Sequence, residues 1–268
     1  MSDDTYFRAS FDDETKQRSQ KPIESRDSGS VYSIARVFGY MFMWLAITTA
    51  LTFGLAFLFN YLLGATASDE AKADIFTIAI IIAVISGLGV IVMSIVTHVV
   101  LFKGKHSIAV PAAIYCSLMG VLMGVLATII TYFYANGWVI LGITFGITTL
   151  IFGLMALIGL SAKSKLNGLL IVGIGMMVGL MLMSGVMLII MLIFPDIYQW
   201  WYWILTLGLF AAVMLTTIWD IRNVKTLAEQ GALNNNISMY IAFNLYVDFI
   251  YILLRVLLIV LKVMGKSK

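Results

Sequence analysis

Two carboxylates stand where an apolar chain accommodates them least, at Asp220 and Asp248. The sequence has 14 Asp and Glu, but seven lie in the first 27 residues and three more between 69 and 74. Asp196 and Glu229 fall in short breaks, which leaves Asp220 at the end of the run Leu205–Trp219 and Asp248 in the middle of Ile237–Leu261. An ionised side chain at bilayer depth costs several kcal/mol, so a carboxylate kept there marks a candidate site. If the two meet, both cannot readily ionise; they would share a proton and titrate as a pair, which is the chemistry of a pH sensor. The alternative for Asp220 is a place at the membrane edge beside Arg222.

Asp248 also belongs to a line. Asn244, Asp248, Tyr251, Arg255 and Lys262 follow one another at offsets of 0, 4, 7, 11 and 18 residues. At about 100° per residue each stays within about 40° of the first, so one stripe of an apolar helix is polar along its length. Such a stripe is expected to face the protein interior or a water-filled path rather than lipid. Taken singly, the same residues have plainer roles: Lys262 snorkels, Arg255 meets a carbonyl or a lipid phosphate, and Asp248 is a buried hydrogen bonder. Enzyme chemistry finds no footing. There is no H-E-x-x-H, P-loop or G-x-S-x-G, and Thr144, Thr148 and Thr149 have no base beside them. A single cysteine, Cys116, excludes an intramolecular disulfide and reads as core filler, and no cofactor is called for. His98 reads as a solvated interfacial histidine outside the site.

The elements that must position the pair are membrane helices. The 268 residues are 61% hydrophobic and only 12% charged, with mean hydropathy +0.99, which excludes a soluble domain. Apolar runs of roughly 20 residues, enough to cross ~30 Å of hydrocarbon, recur along the chain. They predict seven spans, about Ile34–Leu63, Ile75–Leu101, Ile108–Tyr134, Trp138–Leu160, Gly168–Phe194, Trp200–Trp219 and Ile237–Lys262. The breaks carry Asp69, Glu70, Lys72 and Asp74, then Lys103 to His106, the Asn136-Gly137 turn, Lys163 and Lys165, Pro195-Asp196, and a long loop over Arg222–Asn236. Residues 1–32 are charged and poor in aliphatics, which predicts a disordered tail ahead of one transmembrane domain, 33–268. Steps at Gly120/Gly124, Gly142/Gly146 and Gly175/Gly179 are candidates for close helix packing. Met176, Met177, Met181, Met183, Met187 and Met191 read as core and lipid-facing filler, and Tyr198 to Trp203 as an interfacial aromatic belt.

Lysine and arginine set the expected orientation. With the N-terminus in the cytoplasm, that side carries five in the tail, Arg36, and two in each of three loops, twelve against four on the other. Asp220 then ends the sixth span at the cytoplasmic face. Asp248 lies eleven residues into the seventh, roughly 16 Å deep. Two antiparallel neighbours joined by a short loop could bring the carboxylates together if the start of the seventh span frays or the boundary lies later.

The run Trp219-Asp220-Ile221-Arg222-Asn223-Val224-Lys225, then Ala242-Phe243-Asn244-Leu245-Tyr246-Val247-Asp248-Phe249-Ile250 and Leu254-Arg255, resembles the C-terminal signature of the transmembrane Bax inhibitor motif family, of its bacterial type. Phe145 to Gly153, followed by Gly159, is similar to the family's fourth-helix pattern. The resemblance covers about Gly137–Leu261 and implies an all-α polytopic membrane protein, a seven-transmembrane-helix bundle with the last helix central. It further implies a pH-sensitive calcium leak in which Asp220 and Asp248 share a proton and hold calcium in transit, in a bacterial cytoplasmic membrane. Asn244, Tyr251 and Arg255 are then candidate path-lining residues, and calcium ions, protons and the lipid bilayer are the partners. Two further classes stay open: a modulator that binds a membrane protease or a cell-death regulator without conducting ions, and a proton-coupled carrier. The carrier ranks last, because no inverted repeat links spans one to three with four to six.

Overall fold

The computed structural model describes residues 23–103, 107–161, 167–193 and 198–264. Residues 1–22, Lys105 and His106, Lys163 and Lys165, Pro195 and Asp196, and Lys266 and Lys268 lie outside them. Seven helices follow in order: α1 (Ile23–Ala65), α2 (Asp69–Lys103), α3 (Ala109–Phe133), α4 (Gly137–Ser161), α5 (Asn167–Ile193), α6 (Tyr198–Glu229) and α7 (Asn235–Met264). Each predicted span corresponds to one of them, the third and fifth differing from the helix by a residue at one or both ends. The chain is a helical membrane bundle. In lipid a helix is the only single-segment structure that satisfies its own backbone, and that is why each apolar run falls on a helix; among the described residues five of the seven are long and apolar enough to cross a membrane.

Helix ends depart from the apolar runs at two places. α1 begins at Ile23, so its first ten residues fall in the segment expected to be disordered. At 43 residues it is roughly 65 Å long, twice the hydrocarbon thickness. Once a span is nucleated, each further residue adds a hydrogen bond at little cost, so the helix continues past the membrane. Likewise α6 does not stop at Trp219 but runs to Glu229, through most of the expected loop. Its end is set by Gly231 at φ +68°, the left-handed position that glycine adopts without strain. The amides of Gly231 and Ala232 bond the carbonyls of Ala228 (3.1 Å) and Leu227 (3.0 Å), closing a Schellman turn. Asn234 then caps α7, its Oδ1 accepting from the Ile237 amide at 2.8 Å.

α7 is the hub, packing on α1, α3, α4 and α6. Its buried stripe includes Ala242, Leu245, Tyr246, Phe249, Ile252 and Val256. Tyr246 reaches Thr48 Oγ1 at 2.7 Å, and that hydroxyl donates to the Cys116 carbonyl at 3.1 Å. Thr48 has one proton, so Tyr246 is the donor to it, and the relay ties α7 to α1 and α3. Cys116 itself is fully buried beside it.

Glycine marks the closest helix approaches. A Cβ on Gly120 would lie 2.8 Å from Leu51 Cβ and 2.9 Å from the Thr48 carbonyl, and one on Gly124 would lie 2.8 Å from Leu55 Cβ. The other two predicted steps are not contacts: Gly142, Gly146, Gly175 and Gly179 have open space around them. Gly159 is one the pattern search missed, because it has no glycine four residues away. Among the methionines of α5, Met181 and Met183 are exposed, part of an apolar coat that also includes Leu150 and Ile85.

One connection ends a helix with a charge. Lys225 Nζ donates to the Leu160 carbonyl at 2.6 Å, joining α6 to the last turn of α4, where the helix dipole favours a cation. Lys225→Met should lower stability by about 2 kcal/mol, since charged hydrogen bonds contribute 1.5–3. The check is thermal unfolding in detergent.

Candidate functional site

Asp220 lies nine residues before the end of α6 and Asp248 thirteen after the start of α7, roughly 14 and 20 Å from the turn between them. The extension of α6 beyond the apolar run therefore brings the two carboxylates to similar heights without fraying. The boundary does lie later than the apolar run, because hydropathy marks where lipid ends and not where the helix ends. The Asp220 and Asp248 carboxyls face each other across the α6–α7 seam, close enough to interact directly.

Thr217 is the third member, and sequence reasoning missed it. Its Oγ1 lies 3.1 Å from Asp248 Oδ2 and 2.8 Å from the Val213 carbonyl oxygen. A hydroxyl has one proton, so it donates to one of these oxygens at a time and can accept from Asp248 when that carboxyl holds the proton. Thr217 precedes Asp220 by three residues and so shares its helix face, which is the signal that was available. Thr217→Val keeps the shape and leaves a carboxyl oxygen of the half-buried Asp248 one partner short. It should cost about 1–2 kcal/mol in detergent unfolding, with Thr217→Ser costing less than half as much.

The surroundings of the pair are apolar and tightly held. On α4, a Cβ at Gly159 would come within 2.8 Å of Ile221 Cγ2 and 3.0 Å of the Ile218 carbonyl, so α6 is pressed against α4 beside Asp220. Phe249, next to Asp248, meets Phe145 and Phe152 edge-on with centroids 5.9 and 5.6 Å away. Thr217 is fully buried.

The polar stripe of α7 does not descend through a closed interior. Asn244, Asp248 and Arg255 are half-buried, but Tyr251 is 55% exposed. Lys262 is exposed and sits over the Trp203 ring of α6, 4.6 Å from its centroid. The stripe follows the flank of α7 because the larger apolar face takes the core. At the end of the bundle that holds the α6–α7 turn, Arg36 Nη1 donates to Asn235 Oδ1 at 3.1 Å. His98 stands edge-on to Tyr240 nearby, 5.8 Å between centroids. Trp201 of the aromatic cluster is buried at 3% exposure rather than turned to the interface.

Among the described residues no three His, Cys, Asp or Glu side chains come together. A hard cation at Asp220 and Asp248 would thus have two carboxylates and would fill its shell with carbonyls and water. The arrangement suits brief occupancy better than storage.

No curated protein sequence matches this chain. Its sequence does match the family described as Inhibitor of apoptosis-promoting Bax1 over residues 32–266, nearly the whole helical bundle and both aspartates included, and the chain belongs to that family.

Proposed function

We propose that this protein is a pH-sensitive leak for calcium, or a similarly hard cation, gated by the Asp220–Asp248 pair. The observation that carries the reading is the close approach of the two carboxyls in the α6–α7 seam, with the Thr217 hydroxyl against Asp248. Two carboxyls that close are held together when one proton is shared between their oxygens. While the proton is present it joins α6 to α7; once it leaves, two negative charges face each other at short range. Repulsion then loosens the seam at the moment a site for a cation appears. The half-buried Asn244 and Arg255 and the exposed Tyr251 line the same flank of α7 and would border the approach. The pair works by charge and hydrogen bonding, with no covalent chemistry. The excess of lysine and arginine supports a cytoplasmic N-terminus, and the resemblance to the bacterial type of the family supports a bacterial cytoplasmic membrane.

The test is the full-length protein alone in phosphatidylcholine vesicles loaded with a calcium indicator. Calcium entry is expected to exceed that of protein-free vesicles and to change with pH. No entry at any pH would sink the leak and leave the modulator of a membrane protease or cell-death regulator as the better reading.

A further inference from the structure

Between α1 and α4 the bundle is left open. α1 packs on α2, α3, α6 and α7, and α4 on α3, α6 and α7, while a cavity of about 210 Å³ lies between them. Its walls include Phe53 of α1, Met123 of α3, Leu141 and Phe145 of α4, and Leu253 of α7. Four threonines also line it, but three have spent their donors. Thr48, Thr52 and Thr144 bond the carbonyls of Cys116, Gly120 and Ile140 at 3.1, 3.2 and 2.8 Å. A polar ligand would find one hydroxyl, that of Thr49, in a hydrocarbon wall.

The mouth faces the bilayer. Phe53 and Phe145 are both nearly half exposed and continue into the apolar coat through Phe57 and Leu150. One rim is closed by Trp138, stacked on Phe53 and Phe57 with centroids 6.1 and 5.1 Å away. Tryptophan favours the membrane interface, and Gly142 on the cavity wall is one turn further along α4, roughly 6 Å deeper. The opening therefore lies in hydrocarbon just below the headgroups. Left empty, its apolar walls would forfeit dispersion contacts, and water would find too few partners there. The phase at the mouth is acyl chain.

We infer that the cavity between α1 and α4 binds one acyl chain of a bilayer phospholipid, taken from the leaflet on the Trp138 side. The chain would lie against Phe249, Ile250, Leu253 and Leu257, so it braces the helix that carries Asp248. The inference does not depend on the leak reading.

The experiment places the full-length protein in phosphatidylcholine vesicles containing a phosphatidylcholine with a diazirine in its acyl chain. After irradiation, adducts are mapped by peptide mass spectrometry. Adducts should concentrate on Phe53, Leu141, Phe145 and Leu253, several-fold above Leu150 and Leu154, which are more exposed on the same α4. A side chain at Gly142 meets nothing within 4 Å and grows into the cavity, so Gly142→Leu should remove the enrichment. Gly146→Leu, equally open but off the cavity wall, should leave it intact. Adducts spread evenly over the exposed surface of the wild-type protein would overturn the inference, as would enrichment that survives Gly142→Leu. Loss of the label to a free fatty acid but not to unlabelled phosphatidylcholine would overturn the phospholipid assignment.

Discussion

Asp248→Asn is expected to flatten the pH dependence of calcium entry into vesicles, and Asp220→Asn to do the same. Each substitution keeps the volume and removes one of the two groups between which the proton is held. The remaining carboxyl can then titrate, but without a facing charge its titration no longer drives the helices apart. Residues that act as one unit give non-additive effects, so the double variant should be no flatter than either single one, a coupling of about 1–3 kcal/mol when written as a cycle. Asn in place of Asp248 can still meet Thr217, so the folded bundle should survive and the loss can be read as loss of gating. Two single variants that retain the wild-type profile would end the gate hypothesis. A leak that persists without pH dependence would keep the path and remove only the sensor.

The largest structural effect is expected at Gly120. A Cβ there would lie 2.9 Å from the Thr48 carbonyl and 3.2 Å from Thr48 Cα, and backbone atoms cannot turn aside as a side chain can. Gly120→Val should force α1 away from α3 and cost about 3 kcal/mol, the upper part of the overpacking range. The damage should travel to α7, because Thr48 holds both Tyr246 and the Cys116 carbonyl. Gly146→Val is the matched control, with nothing within 4 Å of its Cβ, and should change stability by less than about 0.5 kcal/mol. Thermal unfolding of both variants in the same detergent decides the matter.

The spans and the pair of carboxylates were legible in the sequence for the same reason: lipid tolerates few polar side chains, so the exceptions are visible. What hydropathy could not supply was the length of α6. Its last ten residues carry Asp220, Arg222, Lys225 and Glu229, so they read as loop, yet the helix persists until Gly231 ends it. The spacing of Asn244, Asp248, Tyr251 and Arg255 revealed one face correctly but not which way that face turned. Packing of the wider apolar face against α1, α3 and α4 decided it. Glycine spacing alone was also insufficient, since Gly142 and Gly146 share the pattern of Gly120 and Gly124 but have no partner helix against them. Thr217 was hidden by its ordinariness; threonines bonded to a carbonyl four residues back recur throughout this bundle, as at Thr128, Thr144 and Thr148.

The Schellman turn at Gly231 has a consequence for the order in which the protein is made. It connects the two halves of the aspartate site through a hairpin of neighbouring helices, so a ribosome reaches Asp248 only after the six earlier helices of the described structure have been made. A nascent chain halted at Asn235 would carry Asp220 alone and could hold no shared proton. The site thus comes into being only when the helix that carries Asp248 joins the one that carries Asp220.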